Sequence, residues 1–223
     1  MRKSKEQRLS ETRAYFKKKT PKKFKDINPE IIKKIAFVFF IYIFIMYLVN
    51  SPYKLGEENR YQLSGLYHWF IFIANQTLGI VHEAGHGVCY ITISNQFITA
   101  AMGTIFQIAA PYLFYHYYKK RTKVFLANIG LFFVGISMQY SAWYMSTAEE
   151  TKIIPASKSF LGQEGYHDFH VIFDTIGILP LSYGLGITVM ILAYIIMLKS
   201  IFNMYNVSFS KGQSQLALKS NDK

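Results

Sequence analysis

The chain has 223 residues, 25 Lys and Arg against 13 Asp and Glu for a formal charge of +12, a hydrophobic content of 51% and one cysteine. The lone Cys89 excludes an intrachain disulfide framework and any zinc site built on several cysteines. The length suits one domain with tails, and the positive charge does not mark a nucleic-acid binder, because no recognition motif accompanies it.

The basic residues are concentrated at the start. Arg2, Lys3, Lys5, Arg8, Arg13, Lys17, Lys18, Lys19, Lys22, Lys23, Lys25, Lys33 and Lys34 all precede residue 35. Residues 1–30 therefore read as a basic cytoplasmic tail, broken by Pro21 and Pro29, that sets orientation and can touch anionic lipid. A first apolar run over 31–49 ends at Asn50-Ser51-Pro52. No small-residue cleavage site follows it, so it is expected to act as an uncleaved anchor.

After a polar loop, a second apolar run covers 66–93, about 42 Å if wholly helical. That exceeds a hydrocarbon core of about 30 Å, which predicts a tilt, a break near Gly79 or an extension beyond the bilayer. A third run over 98–118 contains Gln107 and Pro111 and is closed by Lys119-Lys120-Arg121-Thr122-Lys123. A fourth covers 124–144. A polar stretch over 145–166 leads to His167-Asp168-Phe169-His170. The last apolar run, 171–202, is interrupted by Gly177, Pro180, Gly184 and Gly186, and a polar tail starts at 204. Apolar blocks of this length separated by short polar stretches predict an all-α polytopic membrane protein. Four to six transmembrane or re-entrant helices over 31–203 are expected around a buried metal site, in the cell membrane.

The charges give this topology a test. With the N-terminus cytoplasmic, the loop after the first run lies outside, and the basic cluster 119–123 and the C-terminal tail lie inside. The two apolar runs between Leu66 and Tyr118 must then make only one net crossing. One of them, or a piece around 97–103, is expected to re-enter or to lie at the interface, next to protein or a watery cavity.

The second run contains His82-Glu83-Ala84-Gly85-His86. On a helix, residues four apart share a face, so both imidazoles can hold one metal ion, and Glu83 lies within reach of a water on it. Three ionisable groups in an apolar segment are costly, and such groups are functional by default. A catalytic zinc takes three protein ligands. His68 lies fourteen residues upstream of His82, about 21 Å along a continuous helix, and His116 sits among tyrosines beside the basic cluster. His167, Asp168, His170 and Asp174 remain as candidates. The purely structural reading of that group is an interfacial helix start with Asp168 as cap or dipole partner.

At these residues the chain resembles the site-2-protease-like zinc metallopeptidases embedded in membranes. More narrowly it is similar to small bacterial multi-span proteins with HExGH, a Gly-Thr-x-x-Gln-x-x-x-Pro stretch and a Gly-x-His-Asp motif. Here these are His82–His86, Gly103-Thr104-Ile105-Phe106-Gln107 with Pro111, and Gly165-Tyr166-His167-Asp168, within residues 66–180. In that family the third ligand is an Asp of an LDG-like motif. This chain has no LDG, so Asp168 takes the role by analogy and His167 is its rival.

The resemblance implies a zinc hydrolase, most simply a peptidase acting on a membrane-associated peptide or protein, with Glu83 as general base. Asn75, Gln107 and Asn128 are the polar side chains available to orient ligands or substrate, although each also reads as an interhelical hydrogen bond. Membrane lipids are the other expected partners, and no nucleic acid is. Two further classes stay open. One is a lipid-directed metal hydrolase or a di-metal oxygenase, of which the oxygenase would need more histidines than remain. The other is a non-enzymatic metal-binding membrane protein, which would need no base at Glu83.

Overall fold

The computed structural model describes residues 28–53, 55, 65–93, 95–150, 153–154 and 165–209. The chain divides into two compact units, Met1–Ala36 and Phe37–Lys223. The basic tail at 1–27, most of the loop after the first apolar run and the tail beyond Phe209 lie outside the described residues.

In the first unit, Asn28 starts helix α1 (Pro29–Val49), its side chain accepting from the Glu30 amide at 2.9 Å. Pro29 follows at the first helical position, where a missing N–H costs nothing. Lys33 pairs with Glu30 at 2.8 Å.

The second unit holds the rest of α1 and five more helices: α2 (Gly65–Thr92), α3 (Gln96–Lys120), α4 (Val124–Ser146), α5 (Asp168–Thr175) and α6 (Ser182–Phe209). The fold is all-α. One pair of two-residue strands, β1 (Ile153–Ile154) and β2 (Gly165–Tyr166), pairs antiparallel between α4 and α5. The apolar pattern did not predict it.

Among the described residues, four helical stretches are long and apolar enough to cross a membrane: α1, α3, α4 and Leu179–Phe209. They carry exposed Val38, Ile45, Ile105, Leu113, Ile191, Ile195 and Phe202, an arrangement suited to lipid rather than water. α2 is not among the four, since Asn75, Gln76, His82, Glu83 and His86 lower its hydropathy. It runs unbroken through Gly79 for 28 residues, which removes the break from the three alternatives and leaves a tilt or an extension beyond the bilayer. The piece around 97–103, expected to re-enter or lie at the interface, is regular helix from Gln96 onward. Its start is set by Asn95, whose side chain accepts from the Ile98 amide at 3.0 Å.

The final apolar run is divided as its glycine and proline suggest, but only at the first two markers. α5 stops before Gly177, which has φ +73, and a 3-10 turn over Leu179–Leu181 containing Pro180 leads into α6. Gly184 and Gly186 lie inside α6. Gly186 is bare because a Cβ there would meet the Ala142 carbonyl oxygen of α4 at 2.7 Å, the close approach that small residues permit between membrane helices.

Packing of α3 on α4 exposes a useful consequence of Pro111. Proline has no N–H for the carbonyl four residues back, and that carbonyl belongs to Gln107. The Ser137 hydroxyl of α4 lies 3.1 Å from Gln107 O and 3.0 Å from the Phe133 carbonyl oxygen of its own helix, and shares its one proton between them. The residue released from the helical ladder is thus tied to a neighbouring helix, with its side chain still free to serve elsewhere. α5 is fixed to the end of α4 by a cluster of Tyr144, Ala148, Phe169 and Phe173.

Candidate metal centre

His82 and His86 stand one turn apart on α2, and their Nε2 atoms approach to 3.0 Å. Asp168, the first residue of α5, brings Oδ2 to 3.0 Å from His82 Nε2 and 3.4 Å from His86 Nε2. These three residues, 86 positions apart at the extremes, form the group among the described residues that can hold a metal ion. His82 and Asp168 are buried and His86 is nearly so.

The outer ring nitrogens explain which way the inner ones face. His86 Nδ1 lies 2.8 Å from the Thr99 carbonyl oxygen, which can only accept, so Nδ1 carries the proton. His82 Nδ1 lies 3.0 Å from Gln107 Oε1 and donates to it in the same way. Both Nε2 lone pairs then point at one another and at a carboxylate oxygen. Lone pairs so placed repel unless a cation lies between them, and outward acceptors of this kind are what metal-binding histidines have.

The distances fit an ion. Donors held tetrahedrally at 2.0–2.1 Å stand about 3.3 Å apart, close to the edges observed here. Space is left for it by Gly103 of α3. A Cβ on that residue would lie 2.5 Å from His86 Nε2 and 2.7 Å from His82 Nε2. Gly85 of α2 is equally constrained, since a Cβ there would run into the Met102 backbone. The two bare positions let α2 and α3 close far enough for Thr99 and Gln107 to reach the imidazoles. Thr99, Gly103, Gln107 and Pro111 recur every four residues, so one buried stripe of α3 supplies the carbonyl, the gap, the amide and the proline.

Burial works against the Asp168 charge, while a cation shared with His82 and His86 Nε2, a proton or a metal ion, offsets it and holds the carboxyl below its ordinary value. Glu83 is half-buried beside the site.

The other residues singled out by sequence have different occupations. His167 does not join the donor group. It is stacked on Tyr144 with ring centroids 3.9 Å apart, its Nε2 lies 3.1 Å from Thr147 Oγ1, and its Nδ1 accepts from the His170 amide. Burial pushes its imidazole down to about 4, so it is neutral. It caps α5, the part that the structural reading had given to Asp168. His170 donates from Nδ1 to the Ala148 carbonyl at 2.7 Å, and Asp174 is exposed. Asn75 accepts from the Tyr53 hydroxyl, and Asn128 bonds to α6, accepting from Ser200 at its carbonyl and from Asn203 at its side chain. Neither reaches the donors, whereas Gln107 does. His68 meets Tyr67 edge-on and His116 stacks on Tyr112, both away from the centre.

Thr99 and Tyr144 escaped the sequence reading. Thr99 contributes a backbone carbonyl, which no side-chain pattern reveals. The Tyr144 hydroxyl accepts from the Asp168 amide at 3.3 Å while its ring holds His167. The four-residue spacing of 99, 103, 107 and 111 is the signal that was available. Comparison with known protein families, with curated proteins and with solved structures finds no match for this chain.

Proposed function

We propose that this chain is a membrane-embedded, zinc-dependent peptidase resembling the site-2-protease-like enzymes, with His82, His86 and Asp168 as ligands and Glu83 as general base. The observation that carries the reading is the convergence of three lone-pair donors whose outer ring nitrogens are both already bonded. Zinc, when bound, supplies a Lewis acid for the scissile carbonyl and eases deprotonation of the attacking water.

The protein's own groups do the rest. Glu83 takes the proton from the water and delivers it to the leaving amine. Gln107 and the Thr99 carbonyl keep both imidazoles in the Nδ1–H form, so their Nε2 atoms stay available. An open groove of about 430 Å³ between α3 and α5, lined by Thr104, Ile105, Ile108, Phe169 and Ile172 among others, lies beside Gly103 and Asp168 and suits apolar side chains of a membrane-associated peptide. Two histidines and a carboxylate also serve iron(II) oxygenases. Glu83 favours hydrolysis, because a base at that place has no part in holding a metal. The positive-inside rule puts residues 1–27 and the 119–123 turn on the cytoplasmic face of the cell membrane.

The test is Glu83→Gln with a fluorogenic peptide in detergent or liposomes. Hydrolysis should fall by about 10²–10⁴-fold while zinc content stays at the wild-type level. Hydrolysis unchanged in the variant would contradict the assignment. Cleavage of lipid amides but no peptide would move the substrate to the lipid, and zinc without any hydrolysis would leave a metal-binding protein.

A further inference from the structure

The turn joining α3 to α4 carries a second concentration of chemistry, remote from the donor group along α3. Lys119, Lys120, Arg121 and Lys123 fall within five residues, all exposed, and none is in an ion pair among the described residues. Thr122 takes φ +56, a conformation rare for a β-branched residue, and the turn closes with Thr122 N–H on Lys119 O and Lys123 N–H on Tyr118 O. This turn gathers the four cations at one point. The Arg121 guanidinium lies 4.0 Å from the centroid of the Tyr117 ring, and Lys119 Nζ lies 5.2 Å from that of Tyr115.

Just below is a concavity of about 520 Å³ lined by Leu113, Phe114, His116, Tyr117, Tyr118 and Lys120. From Leu113 to Arg121 the face passes from apolar to aromatic to cationic over about 12 Å. That order matches a lipid passing from acyl chain through glycerol to phosphate, at the end of a helix apolar enough to span. The first turn of α4 has no acidic residue to neutralise the cations.

We propose that this concavity seats an anionic glycerophospholipid, its phosphate on Lys120 and Arg121 and its first acyl carbons on Leu113 and Phe114. A free phosphate would leave the apolar floor unused, so the lipid is the better occupant.

Native mass spectrometry of the detergent-purified protein with equal amounts of phosphatidylglycerol and phosphatidylcholine tests this. The wild type should retain phosphatidylglycerol in excess, and Lys120→Gln and Arg121→Gln should each reduce that excess by about fivefold. Both side chains are exposed, so neither change disturbs the packed helices. Equal retention of the two lipids by wild type, or an excess unchanged in the double variant, would overturn the proposal. So would displacement of phosphatidylglycerol by inorganic phosphate at millimolar concentration, which would mark a simple anion site.

Discussion

A single methyl group, absent at Gly103, would fill the space between His82 and His86. The Cβ position of Gly103 lies on the side of both imidazoles where their lone pairs meet, at 2.5 and 2.7 Å from the two Nε2 atoms. Gly103→Ala should therefore lower zinc content by at least about tenfold, the scale of a lost supporting contact, even though no ligand is changed. Gly87→Ala is the matched control, since a Cβ there meets nothing within 4 Å and should leave zinc bound. Elemental analysis of both purified variants reads the difference, and equal zinc in Gly103→Ala would contradict the account. The choice between His167 and Asp168 belongs to the same scale. The two are neighbours in sequence, and what separates them is that His167 is spent on capping α5 and stacking on Tyr144. Neither use shows in residue type or spacing.

Among the elements, α3 does the most to build the centre while providing none of the three donors. Its Pro111 frees the Gln107 carbonyl, and Ser137 of α4 takes it up. Ser137→Ala should cost about 0.5–1.5 kcal/mol, because its proton is shared between that carbonyl and Phe133 O. Pro111→Ala restores an N–H for the same carbonyl, so the double variant should be less destabilised than the sum of the singles, by about 0.5 kcal/mol or more. Unfolding in mixed micelles measures the cycle, and strictly additive costs would contradict the link. The five long helices were legible because each run of apolar residues is ended by polar, basic or turn-forming groups such as Asn50-Ser51-Pro52 and Lys119–Lys123. The pairing of β1 with β2 was not, because two residues per strand carry no readable alternation. Of the three alternatives for the long second run, the break near Gly79 does not occur, because a glycine with helical neighbours lowers helix stability by only about 1 kcal/mol.

At the scale of the molecule, the four stretches apolar enough to span alternate in direction if each crosses once. The 119–123 turn and the end of α6 then share one side, the cytoplasmic one expected from the positive-inside rule. In a Cys89→Ala background, Lys120→Cys should resist a membrane-impermeant maleimide in intact cells and Glu150→Cys should react. The reverse pattern would invert the topology. The HExxH pair was readable from sequence as one helical face, and Asp168 only by analogy, since it lies 86 positions and two intervening helices from His82. Its arrival at the imidazoles is a property of the whole fold, and the central claim rests on it. The most direct test is zinc per chain in purified wild type, His86→Ala and Asp168→Ala. The account predicts about one zinc in wild type and loss in both variants. A wild type without zinc, or zinc fully retained in Asp168→Ala, would contradict it.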